Sequence, residues 1–139
     1  MFKNILLPVD VGQMERTTAM IGSIQSIAQG ENVRVVLLNV IAEIPGYVAA
    51  QLPPNHHQNA ISESKALLDG LVKNTALEKN SEVVVEEGNA AQVILRVAKQ
   101  RKTDLIVIGS HNPGIADYLL GSVAARVVRH ASCSVMVVR

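Results

Sequence analysis

Aromatic side chains are almost missing from this sequence: Phe2, Tyr47 and Tyr118 are the whole set in 139 residues, and there is no Trp. A core built from it must be aliphatic, which favours helices layered closely on a parallel sheet. The same scarcity removes the platforms on which nucleic-acid bases stack. A surplus of charge is also missing, since 13 Lys and Arg stand against 12 Asp and Glu for a formal charge of +1. With no basic stripe either, no nucleic-acid partner is expected. The single cysteine, Cys133, excludes an internal disulfide. No apolar run approaches the roughly 20 residues of a bilayer span, so no membrane partner is expected. The opening MFKNILLPVD runs into a strand pattern instead of a signal-peptide core. These absences together lead us to expect a cytoplasmic protein.

What is present is apolar and regularly segmented. At 48% hydrophobic the chain can fill one buried core, and residues 1–139 read as a single domain. Residues 5–9, 33–41, 82–86, 104–109 and 134–138 are short, rich in Val, Ile and Leu, and often apolar on both faces. They read as five strands of a sheet covered on each side. Helical stripes lie between them: Met20, Ile21, Ile24, Ile27 and Ala28; Leu67, Leu68, Leu71 and Val72; Ile94, Val97 and Ala98; Val123, Val127, Val128 and Ala131. This alternation predicts an α/β fold, an open parallel sheet with helices on both faces. With the nucleotide-binding strand order 3-2-1-4-5, winding reverses between strands 1 and 4, and a crevice opens beyond their carboxyl ends. Residues 42–59, with three prolines and the pair His56–His57, read as an irregular flap or contact surface.

The crevice directs attention to the residues after Val9 and after Gly109. Gly109, Ser110, His111, Asn112, Pro113 and Gly114 follow the fourth strand, and Gly121 and Ser122 lead into the next helix. Glycines let backbone approach an anion, and helix-start amides carry positive partial charge toward phosphate oxygens. The alternative is a tight strand exit at Gly109 and an ordinary serine cap at Ser122. A Walker-type loop is excluded because Ile115 and Ala116 stand where Lys and Ser or Thr are required, and G-x-G-x-x-G is absent. Asp10 ends the first strand, where its carboxylate could meet ribose hydroxyls or a divalent cation, or instead cap the first helix. Gly88 reads as a turn, with Asn89 capping the following helix. His56 and His57 lack a spaced ligand partner and are not read as a metal site. Cys133 reads as a small buried hydrophobe, and His130 as a solvent-side residue. No triad or paired-carboxylate spacing suggests a catalytic engine.

The opening I-L-x-P-x-D, the strand D-L-I-V-I-G-S, and the closing L-L-G-S-V-A-x-x-V-V-R-H-A-x-C-S-V-x-V-V-R together resemble the universal stress protein family. The likeness runs the length of the chain, and the Asn-Pro within the glycine loop resembles the F/G-type ATP-binding branch. It implies a Rossmann-like fold of the adenine nucleotide alpha hydrolase-like kind. In ATP-binding relatives the motif is G-x2-G-x9-G-S/T. Carried over, Gly109, Ser110, His111, Asn112, Pro113, Gly121, Ser122 and Val123 would surround the phosphates. Pro8, Val9 and Val40 would border adenine and ribose, with Asp10 at the ribose and cation. The implied cofactors are ATP, or ADP or AMP, with Mg2+. Asn112 replaces the second glycine, and eight residues instead of nine separate it from Gly121. The family's dimers imply a homodimer formed through the last strand, which as a bare apolar edge would be an aggregation liability. Three functions remain open at this level: an ATP-binding stress-response module with at most slow hydrolysis, a dimeric interaction protein that binds no nucleotide, or an ATP-cleaving enzyme with Asp10 and His111 as its polar participants.

Overall fold

The computed structural model describes residues 2–110 and 121–139. Five strands, β1 (Asn4–Val9), β2 (Arg34–Ile41), β3 (Ser81–Glu87), β4 (Leu105–Gly109) and β5 (Ser134–Val138), form one parallel sheet in the order β3-β2-β1-β4-β5. The strand ranges expected from apolar runs agree with these to within a residue or so. The helices are α1 (Met14–Ile24), a one-turn α2 (Gly46–Ala49), α3 (His56–Val72), α4 (Ala90–Gln100) and α5 (Ser122–His130).

Alternation along the strands splits the core into two layers. Ile5, Leu7 and Val9 of β1 pack with Met20, Ile21 and Ile24 of α1 and Leu68 and Val72 of α3. Leu6, Leu38 and Ile106 pack on the other face with Ile94 and Val97 of α4 and Val127 of α5. Leu6, Leu7, Leu37, Leu38 and Ile106 are wholly buried, and each such side chain contributes about 1.5–3 kcal/mol relative to exposure. Double-sided burial is why these strands read as unbroken apolar runs.

Two expectations need correction. Residues 42–59 are not irregular throughout: α2 lies within them, and α3 begins at His56, so His56 and His57 occupy its first turn. The buried residues of α3 start only at Ser64, so its exposed opening carries no apolar periodicity to betray it. The stripes were also only partly inward. Leu67, Val123 and Val128 are exposed, while Ile27, Ala28 and Ala131 lie just beyond their helices.

Strand pairing determines where a cleft can open. β1 holds register with β2 as far as Val9↔Asn39, but its pairs with β4 are Ile5↔Leu105 and Leu6↔Ile106, in the amino halves of both strands. Pro8, with no N–H to donate, stands beyond that pairing, where a missing ladder bond does least harm.

Candidate functional site

A cleft of about 520 Å³ opens at the carboxyl ends of β1, β2 and β4, where α1 lies on one sheet face and α4 and α5 on the other. This is the crevice expected from the reversal of winding, and its volume suits a small-molecule ligand. Leu38, Val40, Ile94 and Ile108 give it apolar walls. Its polar lining comes mainly from the β1–α1 segment and the start of α5.

After β1, Asp10 Oδ1 accepts from the Gly12 amide at 2.8 Å, and the Asp10 carbonyl accepts from the Gln13 amide and the Thr17 hydroxyl, each at 3.1 Å. Thr17 is 2% exposed, so this bond anchors the turn to the core. Asp10 therefore builds an Asx-type turn. It does not cap α1, whose N-cap is Gln13 without a side-chain cap bond. The exposed Asp10 carboxylate lines the cleft.

After β4, Gly109 approaches α1 so closely that an added Cβ would lie 3.1 Å from Met20 Sδ. Ser110 is not among the described residues that line the cleft; its amide donates to the Val138 carbonyl at 2.8 Å, and its carbonyl accepts from Arg16 Nη1 at 3.3 Å. The N-cap of α5 is Gly121, with extended backbone (φ −61, ψ 155). Ser122 is thus the first helical residue and not the cap, which removes the ordinary-cap alternative for its hydroxyl. The Ala125 amide takes up the Gly121 carbonyl, and the amides of the first turn, having no preceding helical carbonyls, present positive partial charge to the cleft.

The structure therefore brings Pro8, Val9, Asp10, Val40, Gly109, Gly121, Ser122 and Val123 to one cleft, while His111, Asn112 and Pro113 lie outside the described residues. Sequence reasoning missed Arg16 and Asn39. Asn39, 4% exposed and two residues short of the end of β2, lines the cleft and makes no side-chain hydrogen bond to the described residues. The signal for it was a lone amide inside the apolar run from Val35 to Ile41. Arg16, at six residues beyond Asp10, looks in the sequence like any solvated helix residue.

The sequence profile of the Universal stress protein family matches residues 1–139. The chain belongs to that family. Universal stress protein G of Salmonella typhimurium is 32% identical over 146 aligned residues, covering 100% of both chains. Among solved structures, universal stress protein UspA from Lactobacillus plantarum superposes with a TM-score of 0.74 at 27% identity, covering 99% of this chain and 97% of that one. Two more distant members share the fold. One, solved in complex with cAMP, has a TM-score of 0.65 at 20% identity, covering 99% of this chain and 97% of that one. The other, from Archaeoglobus fulgidus in complex with dAMP, has a TM-score of 0.62 at 17% identity, covering 99% and 98%.

Asn89 caps α4, its Oδ1 accepting from the Gln92 amide at 3.1 Å, and Gly88 adopts φ +143, a conformation that favours glycine. His57 Nδ1 lies 3.1 Å from Glu87 Oε2, tying the start of α3 to the end of β3. Among the described residues no cluster of three His, Cys, Asp or Glu could hold a metal, and no helix is long and apolar enough to cross a membrane. Cys133 packs half-buried beside the α4–α5 core layer. Burial first, and the Asp104 charge second, push its thiol above the ordinary range, so it is a poor nucleophile.

Proposed function

We propose that the protein is a cytoplasmic stress-response module, one domain across residues 1–139, that binds an adenine nucleotide in this cleft. ATP, or ADP or AMP, is the expected ligand. The observation that carries the reading is the convergence, in a cleft of about 520 Å³, of apolar walls, the Asp10 carboxylate and the amide-bearing start of α5 at Gly121–Ser122. Adenine suits the aliphatic walls around Val9 and Val40, ribose the Asp10 carboxylate, and phosphate the α5 amides and the Ser122 hydroxyl. The cAMP and dAMP complexes of distant relatives with this fold support the same use of the cleft.

Mg2+ fits this arrangement only in company with phosphate. Asp10 is the one carboxylate lining the cleft among the described residues, and Mg2+ commonly combines one or two carboxylates with phosphate oxygens and waters. With no His and no second acid among the described residues on those walls, hydrolysis is expected to be slow. The phosphate loop is read as continuing through Ser110, His111, Asn112 and Pro113.

The test is to denature purified protein, analyse the released small molecules, and titrate ATP with Mg2+ into wild type and Gly121→Val. Co-purified or titratable ATP, weakened at least about 100-fold by the branched side chain at the cradle, supports the module. Absence of both would leave an interaction protein that binds no nucleotide.

The homodimer belongs to the same proposal. β5 is a sheet edge whose residues are half-buried or exposed. Since the Val138 carbonyl bonds back to the Ser110 amide of the β4 side, alternation turns the backbone groups of Val137 outward. A two-fold related β5 would cover that edge. Val137→Pro removes an outward N–H while sparing the β4 ladder, so sedimentation should show dimer for wild type and monomer for the variant. An unchanged dimer would place the interface elsewhere.

A further inference from the structure

We infer that Arg16 is the specificity-determining residue that grades nucleotides by phosphate number, favouring ATP over ADP over AMP; this rests on the reading of the cleft as a nucleotide site. Among the described residues lining the cleft, Arg16 is the sole cation, and Asp10 is the sole anion. The ion pairs present among the described residues are His57–Glu87, Arg96–Glu86 and Arg101–Glu82, so Arg16 faces the cleft with no neutralising carboxylate among the described residues. A guanidinium carries five N–H donors in a planar fork. One nitrogen, Nη1, reaches the Ser110 carbonyl at 3.3 Å, and that is its described hydrogen bond.

The contact places the charge at the exit of β4, one residue past Gly109, where an anion held by the α5 amides would extend. It is a long bond to a neutral acceptor. A phosphate oxygen offers a shorter, charge-assisted and often bidentate partner roughly twice as strong, so an incoming phosphate would take the fork from Ser110. Arg16 is exposed at the mouth, whereas Ser122 and Gly121 belong to the helix start. The division is then spatial: the α5 amides hold the inner phosphate, which every adenine nucleotide has, and Arg16 meets the outer ones, whose number differs. Adenine and ribose, set against Val9, Val40 and Asp10, are outside its reach in this scheme.

The experiment is calorimetric titration of ATP, ADP, AMP and adenosine into wild type, Arg16→Ala and Arg16→Lys, at two salt concentrations. Arg16→Ala should weaken ATP about tenfold or more, ADP less, and AMP and adenosine little, so that the ATP-to-AMP preference collapses. Arg16→Lys should restore part of it, because the point charge remains without the fork. The salt dependence of ATP binding should flatten in Arg16→Ala. Because Arg16 is exposed, its removal should leave the melting temperature nearly unchanged, separating this effect from misfolding. Equal losses for all four ligands, or no loss for any, would overturn the inference while wild-type binding still upheld the nucleotide site. A wild type that binds none of the four would overturn both.

Discussion

The two ends of the sheet differ in how fully their polar side chains are used internally, although at β3 the carboxyl end too is tied, by His57–Glu87 and Arg96–Glu86. At the amino ends of the strands they bind the protein to itself. Asp104 accepts from the Lys3 and Asn4 amides at 2.8 and 3.0 Å, the Asn4 amide nitrogen donates to the Lys102 carbonyl, and Arg101 forks onto both oxygens of Glu82. Asn80 Nδ2 donates to the Ala28 and Val33 carbonyls at 3.2 and 2.9 Å, drawing the chain before β2 and the chain before β3 together. At the carboxyl ends, the Asn39 amide, most of the Arg16 fork and the first amides of α5 have no such partners among the described residues. Hydrogen-bonding capacity consumed internally specifies a fold, and capacity left over at a cleft specifies a ligand. In the smaller hollow at the amino pole, about 330 Å³, Arg101 and the Asn80 amide nitrogen are bonded within the protein, whereas the Arg34 guanidinium makes no side-chain bond among the described residues. Even there the buried Oδ1 of Asn80 has no partner among the described residues, a reminder that the division is one of degree.

The comparison predicts that ligand affinity and stability respond to different residues. The largest separation is expected for Gly121→Val. Its backbone is extended, a conformation Val adopts freely, so the variant should keep its melting temperature to within the roughly 1 kcal/mol that an N-cap change costs, while losing nucleotide. A stability loss as large as the binding loss would erase the distinction at that pole.

The reverse is expected of Asp104→Ala. It strands two backbone donors that link the start of β1 to β4, at a cost of about 2 kcal/mol, several degrees of melting temperature. ATP affinity, measured below the transition, should stay within about twofold because Asp104 is at the far end of the sheet from Asp10. A strong loss of affinity in folded Asp104→Ala protein would mean that the poles are coupled through β1 and β4.

The same contrast explains what the sequence made legible. The strands followed from apolar runs that need no partner to be recognised, because burial on both faces leaves a continuous record in Val, Ile and Leu, whereas their order had to be taken from the nucleotide-binding pattern and is established by the strand pairing. Asp10, Gly109, Gly121 and Ser122 could be found because glycine and a strand-ending acid are unusual against that background. The opening of α3 could not, since its first two turns from His56 face solvent and obey no period. Arg16 and Asn39 were illegible for a related reason. An arginine on an exposed helix face and an asparagine near the carboxyl end of a strand look ordinary until the described neighbours that fail to neutralise or bond them are known. The eight-residue spacing from Asn112 to Gly121 remains a sequence observation, since it falls largely outside the described residues.

The smallest expected effect concerns Cys133, just before β5 at the amino pole. Desolvation raises its thiol pKa, and the nearby Asp104 charge adds to the rise. A thiol whose folded pKa lies above its unfolded value stabilises the fold fully below the unfolded value. That contribution is lost as pH climbs through the folded one, so this group works against the native state only in alkali. Alkylation reads the same quantity, because the thiolate is the reactive form. At mildly alkaline pH, iodoacetamide should label the native protein more slowly than the unfolded chain. In Asp104→Asn, which removes the charge but keeps one of the two oxygens that accept from the Lys3 and Asn4 amides, native labelling should quicken part of the way, since burial, the larger cause, persists. Native labelling that matches the unfolded rate would mean that the thiol is neither buried nor influenced by Asp104, and that polar groups at this pole are less committed to the fold than their hydrogen bonds imply.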